Sequence, residues 1–581
     1  KLLTPPVLIY TSHPCRFSIF PLSPPFPSPL ARNSNSITVR AAFPHSQSDT
    51  GAEADDDGSF LQRRLLRLQL CVLLPESQIL EGNPRQRPWH HLLGAACSQV
   101  RRYRTISEAS STSILANFNF NQFLDYSFCT LIYSFFPLSD NYLFAGLTNM
   151  VYPGAVHTRF EHSLGVYHLA GEVAYRLRAQ QDPEFPIEDF DIKTVKLAGL
   201  LHDIGHGPFS HTFERQFLPL FLNGASWLST SSSMTCDTSK VDRPKFVFRS
   251  HEDMSISMID YIVDKHHIDI EPECLKKAKE MVVASTEHGS HNSPTGKQFL
   301  YDIVANGRNG VDVDKFDYLI RDSRACGVGC GFMFGRLMGS MRVLGDEICY
   351  RAKDYLTVYN LFSTRAEMHR TIYTHAKVKG IELMAVDALT KANEAFGIAD
   401  AVQNPGEFWK LDDTILKRIE VDERPELKEA RDLVLRIRRR DLYQFCNEFA
   451  VPKENLDHFK DVTPQDIICS QRSSDVTLKE EDIAVSTAKI DLTRGSSNPL
   501  ESVKFFQDYD STDSFTIPVE RISHLVPAVC QDKIVRVYAK KPELVEAVSQ
   551  AFENFQMTTY GVKAILATPE KKKNRKRLFP Y

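Results

Sequence analysis

The chain has 581 residues, 24% of them charged and 42% hydrophobic, and its formal net charge is −4. That length supports a large core and more than one domain, while so small a net charge gives no global electrostatic signal for nucleic acid or membrane. Twelve cysteines without a CxxC pair exclude a dense secreted disulfide framework and fit reduced thiols in a cytosolic, nuclear or organellar compartment.

The first 50 residues begin at Lys1 and are rich in Pro and Ser, with Asp49 the first acidic residue. Such composition fits an organellar transit peptide, with a processing point near Val39–Ala42, or untranslated sequence joined to a fragment. Residues 51–110 show no firm period, and 111–145 are aromatic-rich without a helix or strand pattern. The apolar run Phe128 to Leu138 is too short to span a bilayer and contains Pro137. From Gly146 the pattern becomes regular. Glu161–Ala179 has Leu164, Tyr167, Leu169 and Val173 at helical spacing, and "IKTVKLAGLLHDIGH" predicts a central helix ending at Gly207–Pro208. Phe221–Lys245 is Ser/Thr-rich and predicts a loop or insertion. "EDMSISMIDYIVDKHH", "RNGVDVDKFDYLIRDSRACG", "TRAEMHRTIYTHAKVKGIELMAVDALTKAN" and "RPELKEARDLVLRIRRRDLYQF" predict helices. Lys533–Lys541 predicts a strand, "AVSQAFENFQ" a further helix, and the chain closes on a basic run, Lys571–Arg577.

The chemistry concentrates in "GLLHDIGHGPFSHTFE", Gly199 to Glu214. An apolar helix is a poor place for unpaired acid–base groups, because burying them without partners costs several kcal/mol. Adjacent His202 and Asp203 offer an imidazole nitrogen and a carboxylate oxygen at one point, mixed ligation that suits a divalent Mn, Fe, Zn, Ni or Mg ion. On a continuous helix His202 and His206 share a face, so one can bind metal while the other faces a substrate. More ligands are available upstream at His162 and downstream at Asp312 and Asp314.

In this order, "YPGAVHTRFEHSLG", "GLLHDIGHGPFSH", "SHED" and "NGVDVDKFDYLIRD" resemble the HD-domain superfamily of metal phosphohydrolases, and more narrowly the SAM- and HD-domain deoxynucleoside triphosphate triphosphohydrolases and the bacterial dGTPases. The resemblance runs from about Gly146 to about Lys541, with no SAM domain visible upstream. It implies a mainly α fold, with an HD-domain helical core and a smaller mixed α/β C-terminal lobe. The corresponding boundaries are a divergent region at 1–145, disordered or not part of the true protein, and a core at 146–400 with an insert at 221–247. A regulatory or oligomerisation lobe follows at 401–565, then a basic tail at 566–581.

The resemblance further implies His162, His202, Asp203 and Asp314 as metal ligands and His206, His211, Glu214 and His251 as the catalytic cluster. It implies that Arg159, Lys315, Tyr318, Asp322, Arg365, His369, Tyr373 and His375 bind substrate, a deoxynucleoside triphosphate cleaved to deoxynucleoside and triphosphate. Arg159 can instead pair with Glu161 or Asp203, Lys315 can be a solvated helix position, and Tyr373 can be plain core. Arg336, Arg351, Lys353, Arg440 and Lys540 match contacts to a GTP or dGTP activator that assembles a homo-oligomer.

The chain departs from the family in several places. Glu214 stands where Asp is usual, Gln444 stands where a Lys is usual, and Phe144 stands where a sugar-contacting Gln is usual; the N-terminal activator residues are missing. The abrupt edges of 111–145 and of the Ser-rich insert fit retained intron sequence or a divergent isoform. Two alternative functions therefore stand beside triphosphate hydrolysis: a different phosphodiesterase or nuclease of the same superfamily, or a catalytically impaired protein that binds nucleotide or nucleic acid. The basic tail fits a nuclear localisation signal or a nucleic-acid contact, so the expected location is nuclear or cytoplasmic, with organellar targeting the weaker reading and no membrane role.

Overall fold

The structure, a computed structural model, describes residues 142–180, 186–221, 250–286, 296–472, 476–493, 495–518 and 529–562. The Ser-rich insert, the basic tail and nearly all of the divergent N-terminal region lie outside the described residues.

Helix α1 (Arg159–Gln180) buries Val166, Leu169, Ala170, Val173, Ala174 and Leu177, a spacing of three and four that makes one broad side apolar. Helix α2 (Asp189–Leu201) packs against it through Ile192, Val195 and Ala198. A capping box starts α2, with the Glu188 N–H donating to the Asp191 carboxylate at 2.9 Å. Helix α3 (His251–His266) is capped by the Ser250 hydroxyl, which accepts the Asp253 N–H. Helices α4 (Pro272–Val282) and α5 (Val313–Ala325) follow, and the Asp312 carboxylate caps α5 by accepting the Lys315 N–H at 3.1 Å.

The central helix ends earlier than its sequence pattern predicts. Leu201 is the last residue of α2 and His202 its cap. The reason is tertiary. The Ser255 hydroxyl on α3 donates to the His202 carbonyl at 2.8 Å and accepts the Gly205 N–H at 2.9 Å, so α3 provides partners to a turn that would otherwise continue as helix. This crossing leaves no room for a side chain at Gly205, where a Cβ would lie 2.2 Å from the His251 carbonyl oxygen and 2.2 Å from the Ser255 nitrogen.

The long helix predicted around 364–393 is two helices, α6 (Tyr355–Met368) and α7 (Ala376–Phe396). Between them lie a wide π-type turn at His369–Tyr373 and a break in which the His375 imidazole accepts the Lys377 N–H. Helix α8 (Lys428–Arg438) packs on α7, and the chain then reverses through Arg440, whose φ of +62° is left-handed. Beyond it the chain, predicted as helix as far as Phe445, is extended and enters a strand at Gln444.

The strands form two small sheets. Strands β1 (Arg342–Leu344) and β2 (Glu347–Arg351) make an antiparallel hairpin, and the short β5 (Phe505–Phe506) adds in parallel to β2. In the C-terminal sheet, β6 (Gln531–Ala539) lies between β3 (Gln444–Ala450) and β4 (Ile483–Asp491), antiparallel to both. Helix α9 (Val545–Tyr560) covers that sheet and shares a buried cluster of Phe449, Val535, Val537, Val548 and Phe552 with it. A larger cluster joins α1, α2, α5 and α6 through Val166, Val195, Leu319 and Phe362. A third joins α7 and α8 to the loop after α2 through Phe213, Met384, Leu389 and Val434. The architecture is mainly helical with a smaller mixed α/β part. Among the described residues no helix is long and apolar enough to cross a membrane, and the described cysteines are all free.

Substitution of Gly205 by Ala is expected to destabilise the fold by about 1–3 kcal/mol through overpacking against α3. Thermal unfolding should register this as a lowered midpoint, while Gly329→Ala, where an added Cβ meets nothing within 4 Å, should leave the midpoint unchanged.

Candidate active site

Three chain segments meet where α2 ends. His162 comes from the first turn of α1, His202 and Asp203 from the turn after α2, and Asp314 from the first turn of α5. The His162 Nε2 lies 3.3 Å from the His202 Nε2 and 3.1 Å from the Asp314 Oδ1, and the latter is 3.6 Å from the His202 Nε2. Asp203 approaches the two rings at 3.8 and 3.6 Å. Each ring is oriented through its other nitrogen. The His162 Nδ1–H donates to Asp317 at 2.8 Å, and the His202 Nδ1–H donates to the Gly199 carbonyl at 3.0 Å.

That arrangement tests directly whether a cation fits. With both Nδ1 atoms donating, two neutral rings present Nε2 lone pairs to one another and to carboxylate oxygens, so the centre lacks a positive charge. Burial favours neutral His162, yet Asp314 and Asp317 outweigh burial and raise its pKa to about 9. A proton or a divalent ion can supply the missing charge, and one ligand atom each from His162, His202 and Asp314 lies within 4.8 Å of the others. The nitrogen and oxygen donors suit a first-row divalent metal or Mg. Asp203 is shared: its Oδ2 accepts a short hydrogen bond from the Arg159 guanidinium. Pairing of Arg159 with Asp203, one of the alternatives open from the sequence, is therefore present.

A second cluster adjoins the first. His206, His211, Glu214 and His251 also bring one ligand-type atom each within 4.8 Å. The Glu214 Oε2 lies 3.3 Å from the His211 Nδ1 and 3.2 Å from the His251 Nδ1. The His206 and His251 rings stack at 3.8 Å, and the His206 Nε2 is 3.5 Å from the Asp203 Oδ1, which links the clusters. The environments separate the two stacked rings. Burial, Arg159 and His251 hold the His206 pKa well below its ordinary value, whereas burial of His251 is overcome by Glu252 and Glu214, which raise it to about 9. Glu214 itself sits on a π-type turn, Phe213–Phe217. Both irregular turns thus carry site residues, as such turns often do.

The predicted substrate residues surround these clusters. The Arg159 guanidinium donates to the Ser210 hydroxyl at 2.5 Å and lies over the Phe144 ring at 5.1 Å. Its Nε is buried without a hydrogen-bond partner among the described residues, as are the His206 and His157 Nδ1 atoms. The Tyr373 hydroxyl donates to Asp322 at 2.5 Å, Tyr318 faces Tyr373 edge-on at 6.5 Å, and His369 does so at 5.1 Å. The Arg365 guanidinium donates to the Asp491 side chain at 2.9 Å, and the Lys315 ammonium to Asp312 at 2.8 Å. His375 stands at the start of α7, edge-on to Tyr152 at 5.9 Å. Phe144 lies 4.2 Å from the His162 ring and 6.2 Å from Tyr318, making an apolar wall.

The activator candidates fall in two places. Arg336 pairs with Asp354 at 2.7 Å, Arg351 lies over Tyr509 at 5.2 Å, and Lys353 is exposed just after β2. Arg440 instead donates to the Met150 carbonyl, and Lys540 pairs with Asp387 at 2.5 Å over the Tyr443 ring. Sequence reasoning missed several partners: Asp317 behind His162, His157 at 2.6 Å from Asp322, and the hydroxyls of Ser210 and Ser255. Asp317 and His157 stand inside the quoted motifs, and helical spacing from Asp314 was the signal available for Asp317.

An HD domain match covers residues 159–318, so this is an HD-domain protein. The chain is 40% identical over 408 residues to the deoxynucleoside triphosphate triphosphohydrolase SAMHD1 homolog of Dictyostelium discoideum, covering 70% of this chain and 73% of that one. It is 33% identical over 447 residues to SAMHD1 of Gallus gallus (70% and 68% covered) and 31% over 468 residues to SAMHD1 of Homo sapiens (73% and 70%). The chain belongs to this SAMHD1 family of deoxynucleoside triphosphate triphosphohydrolases.

The raised His251 pKa has a consequence for stability. Because the folded value lies above the ordinary 6.5, the pairing of His251 with Glu252 and Glu214 contributes fully below about pH 6.5 and is lost as pH rises through about 9. Thermal midpoints of the metal-free protein are expected to fall between pH 7 and 9.5, and to fall less in His251→Gln.

Proposed function

We propose that the chain hydrolyses deoxynucleoside triphosphates to deoxynucleoside and inorganic triphosphate, by water attack at the α-phosphorus with a divalent metal present. The observation that carries this reading is the meeting of His162, His202, Asp203 and Asp314 beside a second, proton-handling cluster. These four are the residues that would hold the ion, and when bound it would offset phosphate charge and lower the pKa of water.

The chain's own groups divide the remaining work. Arg159 stands beside the centre with a free Nε–H, and by leaving Asp203 it can present its guanidinium to phosphate oxygens. Lys315 and Arg365 add positive charge, each held in the free protein by an internal carboxylate that a polyphosphate would replace. Breaking the bond to the 5′-oxygen requires a proton for the departing alkoxide. His251 is protonated near neutral pH and stacks on His206, and Glu214 fixes His251 and His211 from one oxygen. This cluster is the proposed proton donor. Glu214 in place of the usual Asp still reaches both rings, which supports a functional carboxylate. Tyr318, Tyr373 and Phe144 form an aromatic wall for the sugar side, and Tyr373 on Asp322 leaves little room beside that carboxylate, which supports selection for deoxyribose.

Activation by GTP or dGTP and assembly into a homo-oligomer are the finer part of the proposal. Arg336, Arg351, Lys353, Arg440 and Lys540 support it by supplying basic groups in two surface regions, as a site completed between copies of the chain requires. Mn, Fe, Zn, Ni and Mg all suit the donor set, and the basic run Lys571–Arg577 supports nuclear or cytoplasmic residence.

Purified protein with Mn or Mg should release triphosphate and deoxyguanosine from dGTP. Release of pyrophosphate would overturn the reaction proposed, and hydrolysis only of a cyclic nucleotide or single-stranded RNA would select another HD-type phosphodiesterase. His202→Ala should lose metal, measured by elemental analysis, and at least about 10³-fold in kcat/KM, equivalent to roughly 4 kcal/mol. Asp317→Ala should keep every proposed ligand yet weaken metal affinity by roughly 10–100-fold, because the His162 ring is no longer oriented. A competition titration measures it.

A further inference from the structure

We propose that Asp413 is a positioning residue for Arg159, acting from outside the matched HD region by holding two separate backbone segments against the guanidinium. Asp413 lies in the turn between the short helices Pro405–Phe408 and Ile415–Val421. One carboxylate oxygen accepts the Phe209 N–H at 2.7 Å, and the other accepts the Leu143 N–H at 2.9 Å.

Each of those bonds fixes the residue that follows. After Phe209 comes Ser210, whose hydroxyl accepts from Arg159 at 2.5 Å. After Leu143 comes Phe144, whose carbonyl accepts from that same Ser210 hydroxyl at 3.2 Å and from Arg159 at 3.5 Å, and whose ring lies under the guanidinium. One carboxylate therefore sets both acceptors of the Arg159 Nη2 group. The same 411–413 turn is tied to the site a second time, because the Tyr142 hydroxyl donates to the Leu411 carbonyl while the Tyr142 carbonyl accepts the Arg159 N–H at 3.0 Å.

The backbone explains why an anchor is needed. Phe209 and Ser210 both have φ of +60°, a left-handed conformation that costs a non-glycine residue roughly 1–2 kcal/mol. Two such residues in succession persist only where the surroundings over-determine them. The hydrogen bond from the Phe209 N–H to Asp413 is such a constraint, and it comes from a chain segment that contributes no ligand to either cluster. Without it the loop is free to relax toward a right-handed backbone, which carries the Ser210 hydroxyl away from Arg159. Asp413 touches no proposed substrate position itself, so its effect on the phosphate side of the site passes through Arg159, and any effect on the sugar side passes through Phe144.

The inference rests on the proposed role of Arg159 as a phosphate contact, and a double-mutant cycle on the full-length chain tests it. The expected result for Asp413→Ala is unchanged metal content and a KM for dGTP raised about tenfold to a hundredfold, with kcat much less affected. In an Arg159→Ala background the same substitution should change the Kd of inorganic triphosphate, a probe without a sugar, by less than about twofold, because the group it acts through is gone. Asp413→Asn, which keeps one acceptor, should fall between wild type and Asp413→Ala, and serves in its place if the alanine variant does not fold. A normal KM in the asparagine and alanine variants, or undiminished effects in the Arg159→Ala background, overturns the proposal. Wild-type protein that neither hydrolyses nor binds dGTP overturns instead the functional reading on which it stands.

Discussion

Two imidazole nitrogens held 3.3 Å apart on buried rings, with carboxylate oxygens beside them and apolar helices around them, leave an excess of negative character. The need to place a positive charge there organises much of the surrounding structure. Helices α1, α2 and α5 pack at the angle and distance that bring His162, His202 and Asp314 together, and their apolar sides form one continuous core behind them. The polar groups next outward, Asp317 and the Gly199 carbonyl, fix ring orientation, and Ser255 fixes the turn that carries His202. The glycine at 205 follows from the same demand, since only a residue without a side chain lets α3 lie close enough to deliver Ser255 and His251 together.

The Asp203 carboxylate sits at the junction of the two clusters and has more neighbours than it can serve at once. In the free protein it holds Arg159 while approaching His162, His202 and His206. If a cation were held there, Asp203 would be one of its proposed ligands, and a phosphate group would offer the Arg159 guanidinium an anionic partner of its own. The basic groups proposed to meet a polyanion are thus held in internal ion pairs. Lys315 with Asp312 and Arg365 with Asp491 show the same economy of partners.

Much of this was legible in the sequence, and the reasons differ by residue. The helices around 161–179 and 251–266 follow from apolar spacing, and the residues proposed as ligands stand in the quoted motifs. The end of the central helix was misplaced because the signal at Gly207–Pro208 is local, whereas the real end depends on Ser255, fifty residues later. Strands β3 and β4 went unread. The residues of β3 are mostly half-buried, so no apolar alternation marks them, and the reversal before it uses Arg440 in a left-handed conformation in place of a glycine. Asp413 and His157 were invisible as contributors because a single carboxylate or imidazole carries no pattern; only the fold brings them to Phe209 and Asp322.

The two π-type turns, Phe213–Phe217 and His369–Tyr373, each hold one residue more than an α-helical turn would. An inserted residue rotates everything beyond it by about 100° around the helix axis, the angular step set by 3.6 residues per turn. The side chains of Glu214 and Tyr373 thus depend on chain length as much as on residue type. Deleting a residue with no proposed role from either turn, such as Gln216 or Ile372, would shift the groups around it out of register, even with every proposed site residue retained. Insertions and deletions in these ten positions are therefore a route by which a descendant of this chain could lose its chemistry while its motifs still read as intact.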